Sequence, residues 1–198
     1  MGHEPGQVVH GFGGHPGAVL DPRQVFEEIG LKSGDTLLDV GCGRGRFSMP
    51  ASEIVGAQGK VYAFDLSEER LLPLKEAIAE LNLTNIEVFL GDVTEHISVE
   101  DSMIDVCLMA NVLHELFEKG TIEDGLREIM RVLRPDGILA VVDFKKNVER
   151  PPGPPLSVRL SPREVGEVVA RYGFEKGRSI DVGPHHYLAL FVLKAEGG

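Results

Sequence analysis

The sequence has little cysteine, few aromatic residues and no long apolar run, and each shortage narrows the class of protein. Two cysteines in 198 residues are too few for a framework of disulfide bonds. No apolar stretch approaches the roughly 20 residues that a membrane-spanning helix needs. The N-terminus also lacks a basic segment followed by an apolar one, so we expect no secretory signal and a cytoplasmic location.

Basic residues are also in short supply. There are 20 Lys and Arg against 31 Asp and Glu, which leaves a formal net charge of −11. Such a surface repels phosphate backbones, and no dense stripe of Lys or Arg reverses the effect locally. Nucleic acid is therefore not expected as a partner or substrate.

The length and an ordinary 42% of apolar residues predict one globular domain, over residues 21–198. Residues 1–20 are rich in Gly and His and show little periodicity. We expect them to form a flexible N-terminal arm or lid.

Short apolar runs alternate with helical patterns through most of the chain. The predicted strands are residues 36–40, 61–64, 86–90, 103–110, 138–142, 179–182 and 187–193. Such alternation predicts an α/β fold, with an open, largely parallel sheet and helices on both faces. The last two strands are only a few residues apart, so they are expected to pair antiparallel. A ligand should then lie at the carboxyl edge of the sheet, where the strand order reverses.

Capping patterns predict where the helices begin and end. Ser67, ahead of two glutamates, is typical of a helix start. Residues 121–124 resemble a capping box, and residues 134–137 are expected to end the helix that follows it. A proline-rich connection over residues 145–160 leads to a further helix at Ser161.

The most informative segment is residues 37–46, Leu-Leu-Asp-Val-Gly-Cys-Gly-Arg-Gly-Arg. A buried strand followed at once by glycines is typical of a loop that lets a nucleotide approach the backbone. In the dinucleotide pattern G-x-G-x-x-G the third glycine comes one residue later than Gly45 does here. Asp39 would repel a pyrophosphate but could hold an ammonium group. These features favour a cationic adenosine ligand, S-adenosylmethionine, over NAD.

Two further aspartates follow predicted strands and are candidate ligands for an adenosine. Asp65 ends the second strand, twenty residues after Gly45, where a carboxylate can accept from ribose hydroxyls. Asp92 follows the third strand and could accept from the adenine amino group, with the Val93 amide donating to a ring nitrogen. For each aspartate the alternative is a turn or a helix cap.

These segments, with residues 62–65, 104–114 and 131–143, resemble the successive motifs of class I S-adenosylmethionine-dependent methyltransferases. The resemblance covers about residues 21–193, and residues 127–137 are similar to the small-molecule branch, which includes ubiquinone/menaquinone and arsenite methyltransferases. It implies a Rossmann-like, doubly wound, seven-stranded sheet of order 3-2-1-4-5-7-6 with strand seven antiparallel. It also implies S-adenosylmethionine as cofactor. The cofactor-binding residues so predicted are Asp39, Gly41, Cys42, Gly43, Gly45, Asp65, Leu66, Asp92, Val93 and Asn111.

Departures from the motifs of other branches of the family narrow the class of molecule that could accept the methyl group. Residues 110–114 read Ala-Asn-Val-Leu-His where enzymes that methylate nucleic-acid amino groups have Asn/Asp-Pro-Pro-Tyr. There is no Pro-Cys pair for attack on cytosine, and two cysteines are too few for an arsenite enzyme. The quinone enzymes usually carry longer segments that cover the substrate. A small-molecule acceptor is expected, while its identity and the oligomeric state are not predicted.

Methyl transfer is an in-line displacement, and some acceptors need a base to remove a proton. His114, after the fourth strand, is the candidate base; the alternative is an ordinary loop histidine. Glu115 is an alternative base or a helix-start residue. Residues 185–187, with Phe12 and His15 of the arm, are further candidates to face the acceptor. Their spacing matches no standard ligand set, so no metal is expected.

Two other functions stay open on the sequence alone. The chain could be a regulatory module that binds the cofactor without catalysis, because no base is certain and no substrate-covering domain is evident. An NAD-dependent oxidoreductase is less favoured, because of the early third glycine and Asp39.

Overall fold

One seven-stranded sheet organises the computed structural model, which describes residues 20–148 and 153–194. Its strands are β1 (Thr36–Val40), β2 (Lys60–Asp65), β3 (Ile86–Leu90), β4 (Ile104–Ala110), β5 (Leu133–Phe144), β6 (Phe174–Asp181) and β7 (His186–Leu193). Their order is β3-β2-β1-β4-β5-β7-β6, with β7 antiparallel to both of its neighbours and the other pairings parallel. The predicted fold class and strand order are confirmed.

Helices cover both faces of this sheet. They are α1 (Pro22–Ile29), α2 (Ser48–Val55), α3 (Glu68–Glu80), α4 (Leu113–Lys119), α5 (Ile122–Val132) and α6 (Pro162–Val169), with short 3₁₀ turns at Gly56–Gln58, Leu156–Val158 and Ala170–Tyr172. Within the described part of the chain, no helix is both long and apolar enough to cross a membrane.

The strand alternation divides the core into two layers. Successive side chains of a strand point to opposite faces, so Leu38 and Val40 of β1 pack in the layer with α4, α5 and α6. Leu37 packs in the other layer, with α1, α2 and α3. Asp105 interrupts the apolar run of β4, and its carboxylate accepts a hydrogen bond from the Thr36 amide at 2.6 Å. The central strands are buried on both faces, which explains their continuous apolar runs.

The predicted cap at Ser67 is confirmed, whereas the predicted capping box at Thr121 is wrong. The Ser67 side chain accepts from the Arg70 amide, but the Thr121 side chain makes no capping bond. The structure has its capping box at Ser161, whose hydroxyl accepts from the Glu164 amide while the Glu164 carboxylate accepts from the Ser161 amide. Spacing of residue types alone did not distinguish the two places.

Three boundaries differ from the sequence prediction. Residues 134–137 belong to the start of β5, where a register shift and a left-handed Asp136 absorb the irregularity. Strand β6 begins at Phe174, five residues before the predicted start at residue 179. Most of its side chains are exposed at the edge of the sheet, so the sequence lacks the alternation of apolar and polar residues that would have predicted this part of the strand. Helix α4 begins at Leu113, with Glu115 in its first turn, where the sequence offered only a helix start at Glu115 as an alternative to a base. The predicted arm, with Phe12 and His15, lies outside the described residues except for Leu20, which is buried.

Candidate active site

A cavity of about 610 Å³ lies at the carboxyl edge of the sheet. Five successive strand ends line it, through Val40, Asp65, Gly91, Ala110 and Phe144. The order of the strands reverses between β1 and β4, which is where α/β sheets bind their ligands. The volume lies within the roughly 300–1,000 Å³ of small-molecule sites.

The predicted cofactor residues divide into two groups around this cavity. Six of them line it: Gly41, Asp65, Leu66, Asp92, Val93 and Asn111. The other four do not line it: Asp39, Cys42, Gly43 and Gly45. The candidate base His114 and its neighbour Glu115 also belong to the wall.

Asp65 joins the glycine loop to the start of α3. It is 5% exposed, and its Oδ2 accepts from the Gly43 amide at 2.8 Å while Oδ1 accepts from the Ser67 amide at 2.9 Å. Each carboxylate oxygen has a second lone pair. Asp65 therefore fixes the loop and keeps the capacity to accept from a ligand hydroxyl.

Asp92 forms a local turn of the same kind. Its Oδ1 accepts from both the amide and the hydroxyl of Thr94, at 2.8 and 2.7 Å. Among the described residues, none donates to Oδ2, and none accepts from the Val93 amide. Within the described part of the chain, Asp92 Oδ2 is therefore free to accept a hydrogen bond and the neighbouring Val93 amide is free to donate one. An adenine edge, with its amino group and ring nitrogen, needs one such acceptor and one such donor.

The glycines of the loop serve different purposes. Gly41 has φ +69°, and a Cβ there would lie 2.3 Å from Cγ2 of Val112. Gly45 has φ +83°, and a Cβ would lie 2.5 Å from Cδ1 of Leu74. Gly43 has φ +54° with open space around it. Two of the glycines are needed for close packing, and all three for a left-handed backbone.

Asp39 is buried against α2, away from the cavity wall. It is 1% exposed, and its Oδ2 accepts from the Ser48 hydroxyl at 2.6 Å. Burial raises the pKa of Asp39 to about 7, and the nearby Asp65 charge adds to the effect. Burial also raises the pKa of the Cys42 thiol, so Cys42 is a packed, neutral loop residue rather than a reactive one.

Asn111 is one of two residues of the described cavity wall, with Thr121, whose side chain has a buried polar atom without a partner. Its φ is +61°, and its amide donates to the Val142 carbonyl at 2.8 Å. Its Oδ1 is buried and has no hydrogen-bond partner among the described residues. A backbone contact with a cofactor would therefore fall to its carbonyl oxygen, and the side chain offers a second acceptor.

His114 pairs with an acid that sequence reasoning missed. Its Nδ1 lies 2.8 Å from Oδ1 of Asp143, and its backbone amide donates to Oδ2 at 3.2 Å. The two side chains are 9% and 2% exposed. Asp143 lies near the end of β5, directly after an apolar run, so its position resembles that of Asp65 at the end of β2. An aspartate directly after an apolar strand, as at Asp65, is the sequence pattern that could have identified Asp143 as a site residue.

The pair defines the chemistry available to His114. A carboxylate beside Nδ1 favours the tautomer in which Nδ1 carries the proton and Nε2 has a free lone pair. Among the described residues, none hydrogen-bonds to Nε2. The imidazole can therefore accept a proton from a molecule in the cavity.

The other described residues predicted to face the acceptor, residues 185–187, lie outside the wall of this cavity. The His186 ring lies 4.2 Å from the Phe144 ring, which belongs to that wall. Burial lowers the pKa of His186 to about 4, so this ring is neutral at pH 7. The Tyr187 hydroxyl donates to the Leu160 carbonyl at 2.8 Å and is thereby occupied.

The sheet order and the cavity at its switch point define a Rossmann-like, doubly wound ligand site. The model of the methyltransferase-domain family matches residues 31–170, so the chain belongs to this family. A solved SAM-dependent methyltransferase from Aquifex aeolicus is 37% identical, with a TM-score of 0.79 over 88% of this chain and 90% of that one. The chain therefore belongs to the class I S-adenosylmethionine-dependent methyltransferase family.

Curated relatives include longer proteins of quinone biosynthesis. The ubiquinone/menaquinone biosynthesis C-methyltransferase of Cronobacter sakazakii is 29% identical over 84% of this chain and 62% of its own length. The demethylmenaquinone methyltransferase of Oceanobacillus iheyensis is 29% identical over 61% of this chain and 49% of its own. The chain thus spans less than two thirds of the length of these relatives.

The residues present fit the cofactor of this family. S-adenosylmethionine brings ribose hydroxyls, an adenine edge and an ammonium group, which need acceptors and one donor from the protein. Asp65 and Asp92 have unused acceptor capacity at the cavity, and the Val93 amide is a free donor among the described residues. The buried Oδ1 of Asn111 lacks a donor that an ammonium group would supply.

Proposed function

We propose that this protein transfers a methyl group from S-adenosylmethionine to a small molecule that must lose a proton as it reacts. The buried pair of His114 and Asp143 in the cavity wall carries this proposal. A histidine oriented by a carboxylate is a suitable general base near neutral pH.

We also propose the roles of the cofactor residues. Asp65 accepts from the ribose hydroxyls, and Asp92 with the Val93 amide binds the adenine edge. Leu66, which is 55% exposed at the cavity, covers the adenosine with an apolar surface. The glycine loop, residues 41–45, and Asp39 behind it surround the methionine part.

In the proposed mechanism the protein aligns the acceptor and removes its proton. The bound cofactor supplies an electrophilic methyl group on positively charged sulfur. His114 Nε2 takes the proton from the acceptor, while Asp143 holds the imidazole in the required tautomer and stabilises its protonated form. The surrounding apolar wall, including Val112 and Phe144, limits the access of water.

A hydroxylated aromatic ring is the acceptor class we propose to test first. Phe144 offers an aromatic face beside the His114 ring, with the two ring centroids 6.1 Å apart. Loss of a hydroxyl proton makes both the oxygen and the ring carbons of such a molecule better nucleophiles. The names of the curated relatives, which are C-methyltransferases of quinone biosynthesis, point to the same class. The exclusion of nucleic acid, the cytoplasmic location and the single domain with an N-terminal arm stay predictions.

Methyl-labelled S-adenosylmethionine tests the proposal when it is incubated with the protein and an extract of cell metabolites. We expect one or a few labelled products of small mass. His114→Gln should abolish their formation, while calorimetry with S-adenosylhomocysteine still detects binding. His96→Gln is the matched control, because the His96 side chain is 74% exposed.

Three other results would contradict parts of this proposal. If His114→Gln forms product at the wild-type rate, His114 is not the base. Cofactor binding without transfer to any metabolite would favour a regulatory module. Tighter binding of NAD than of S-adenosylmethionine would overturn the assignment of the cofactor site.

A further inference from the structure

A buried arginine joins the two described parts of the proline-rich connector, residues 145–148 and 153–160, beside the proposed acceptor end of the cavity. Arg159 is 1% exposed. Its Nη1 donates to the Lys145 carbonyl at 2.9 Å, and its Nε and Nη2 both donate to the Pro154 carbonyl, at 2.9 and 2.7 Å. One guanidinium thus joins the beginning, the middle and the end of the connector.

The same guanidinium lies against a residue of the cavity wall. Its central carbon is 5.0 Å from the centroid of the Phe144 ring. From the connector, Gly153 approaches this ring so closely that a Cβ would lie 2.5 Å from Cε1. The rings of His186 and His114 lie at 4.2 and 6.1 Å from it. Phe144 is therefore enclosed by the connector, by β7 and by the first turn of α4.

We propose that Arg159 is a positioning residue for methyl transfer: it holds the connector on Phe144, and through Phe144 it sets the orientation of the His114 imidazole. The catalytic consequence rests on the proposed role of His114 as base. The orientation itself is a property of the protein alone and can be measured without any acceptor.

The geometry requires an arginine rather than any cation. A guanidinium is a planar fork that donates in fixed directions and stacks on an aromatic ring, whereas an ammonium is a compact point charge. A lysine at position 159 cannot reproduce the three bonds to two carbonyls and the position over the Phe144 ring together. A shorter or apolar residue would leave the Pro154 and Lys145 carbonyls without this donor.

The test compares Arg159→Lys with Arg163→Lys, whose side chain is 79% exposed on α6. The ring nitrogens of His114 are followed by NMR across pH, with the signals assigned by their loss in His114→Gln. In Arg159→Lys we expect a shifted tautomer ratio for the His114 ring. Amide exchange of the connector should become about tenfold faster, as expected for the loss of a charge-assisted hydrogen bond. The Kd for S-adenosylhomocysteine should change less than twofold.

A second pair of variants tests whether the effect passes through Phe144. Phe144→Leu alone should shift the His114 signals, and adding Arg159→Lys to it should cause little further change. Additive shifts would overturn the relay through Phe144. Wild-type His114 signals in Arg159→Lys would overturn the proposal, even if the variant is less stable. The proposed function fails separately, if His114→Gln still transfers methyl groups.

Discussion

The proposed adenosine end and the proposed acceptor end of the cavity are built in different ways. At the adenosine end, Asp65 and Asp92 are held by backbone amides of their own turns and of the glycine loop. At the acceptor end, His114 depends on Asp143, 29 residues away, and Phe144 depends on the distant Arg159. Backbone turns organise one end, whereas contacts between side chains that are far apart in the sequence organise the other. Changes at the two ends should therefore affect cofactor affinity and turnover separately.

Among changes to residues that support the two ends, the largest effect is expected from Asp143→Asn. The amide cannot favour the tautomer with a proton on Nδ1, nor stabilise a protonated imidazole, so kcat should fall about 10²–10⁴-fold. Steady-state kinetics with labelled cofactor measures kcat, and calorimetry with S-adenosylhomocysteine should give a Kd within twofold of wild type. An equal loss of cofactor affinity would show that the two ends are not separable.

Gly41 is the point at which the two ends touch, because a Cβ there would meet Val112 just before α4. We expect Gly41→Ala to lower the free energy of unfolding by about 3 kcal/mol, from overlap and from a positive φ together. Gly43→Ala is the matched control, since it has a positive φ but open space, and should cost about 1 kcal/mol. Urea unfolding measures both. Equal losses would mean that contact with Val112 is unimportant.

Asp65→Ala should weaken the binding of S-adenosylhomocysteine about 10- to 100-fold. It removes the proposed acceptor for ribose and also the acceptor for the Gly43 and Ser67 amides, and charge-assisted hydrogen bonds are each worth about 1.5–3 kcal/mol. Calorimetry measures the affinity. At saturating cofactor, kcat should fall far less than in Asp143→Asn. Unchanged affinity would refute the assignment of the adenosine end.

Much of the adenosine end could be predicted from the sequence, because its determinants are local. A strand that ends in Asp or runs into glycines leaves a pattern within a few residues, as at Gly41, Asp65 and Asp92. The sheet order came from the resemblance of these motifs to a family, and the structure has the same order. The placement of Asp39 outside the cavity wall depends on the packing of α2, which no local pattern reveals.

The acceptor end could be predicted only in part. His114 is a visible candidate, but Asp143 looks like the last residue of a strand until β5 is placed beside α4. Arg159 looks like one charge in a proline-rich connection, although it is buried in the fold. Thr121 and Ser161 both match a cap, and only Ser161 forms one. In each case the deciding contact joins residues that the sequence does not bring together, or depends on the local backbone geometry.

The smallest predicted effect concerns Asp39, which lies behind the glycine loop on the cofactor side of the cavity but is buried like the residues of the acceptor end. Its pKa is about 7 in the folded protein and near 4 when unfolded, so between these values the folded state keeps a proton that the unfolded state releases, and the free energy of unfolding falls as the pH rises until the folded carboxyl is also ionised. The free energy of unfolding should therefore fall by about 1 kcal/mol between pH 6 and pH 8 through this group. Asp39→Asn should remove that part of the slope, whereas Asp101→Asn, at a side chain that is 75% exposed, should keep it. Urea unfolding at pH 6, 7 and 8 measures the slopes of the free energy of unfolding against pH for the wild type and the two variants.

If the proposed cofactor site is right, saturating S-adenosylhomocysteine should flatten the wild-type slope, because its ammonium favours the ionised Asp39. A slope that Asp39→Asn leaves intact would show that Asp39 is ionised throughout, held by the backbone and Ser48 in the same way as Asp65 is held by its amides.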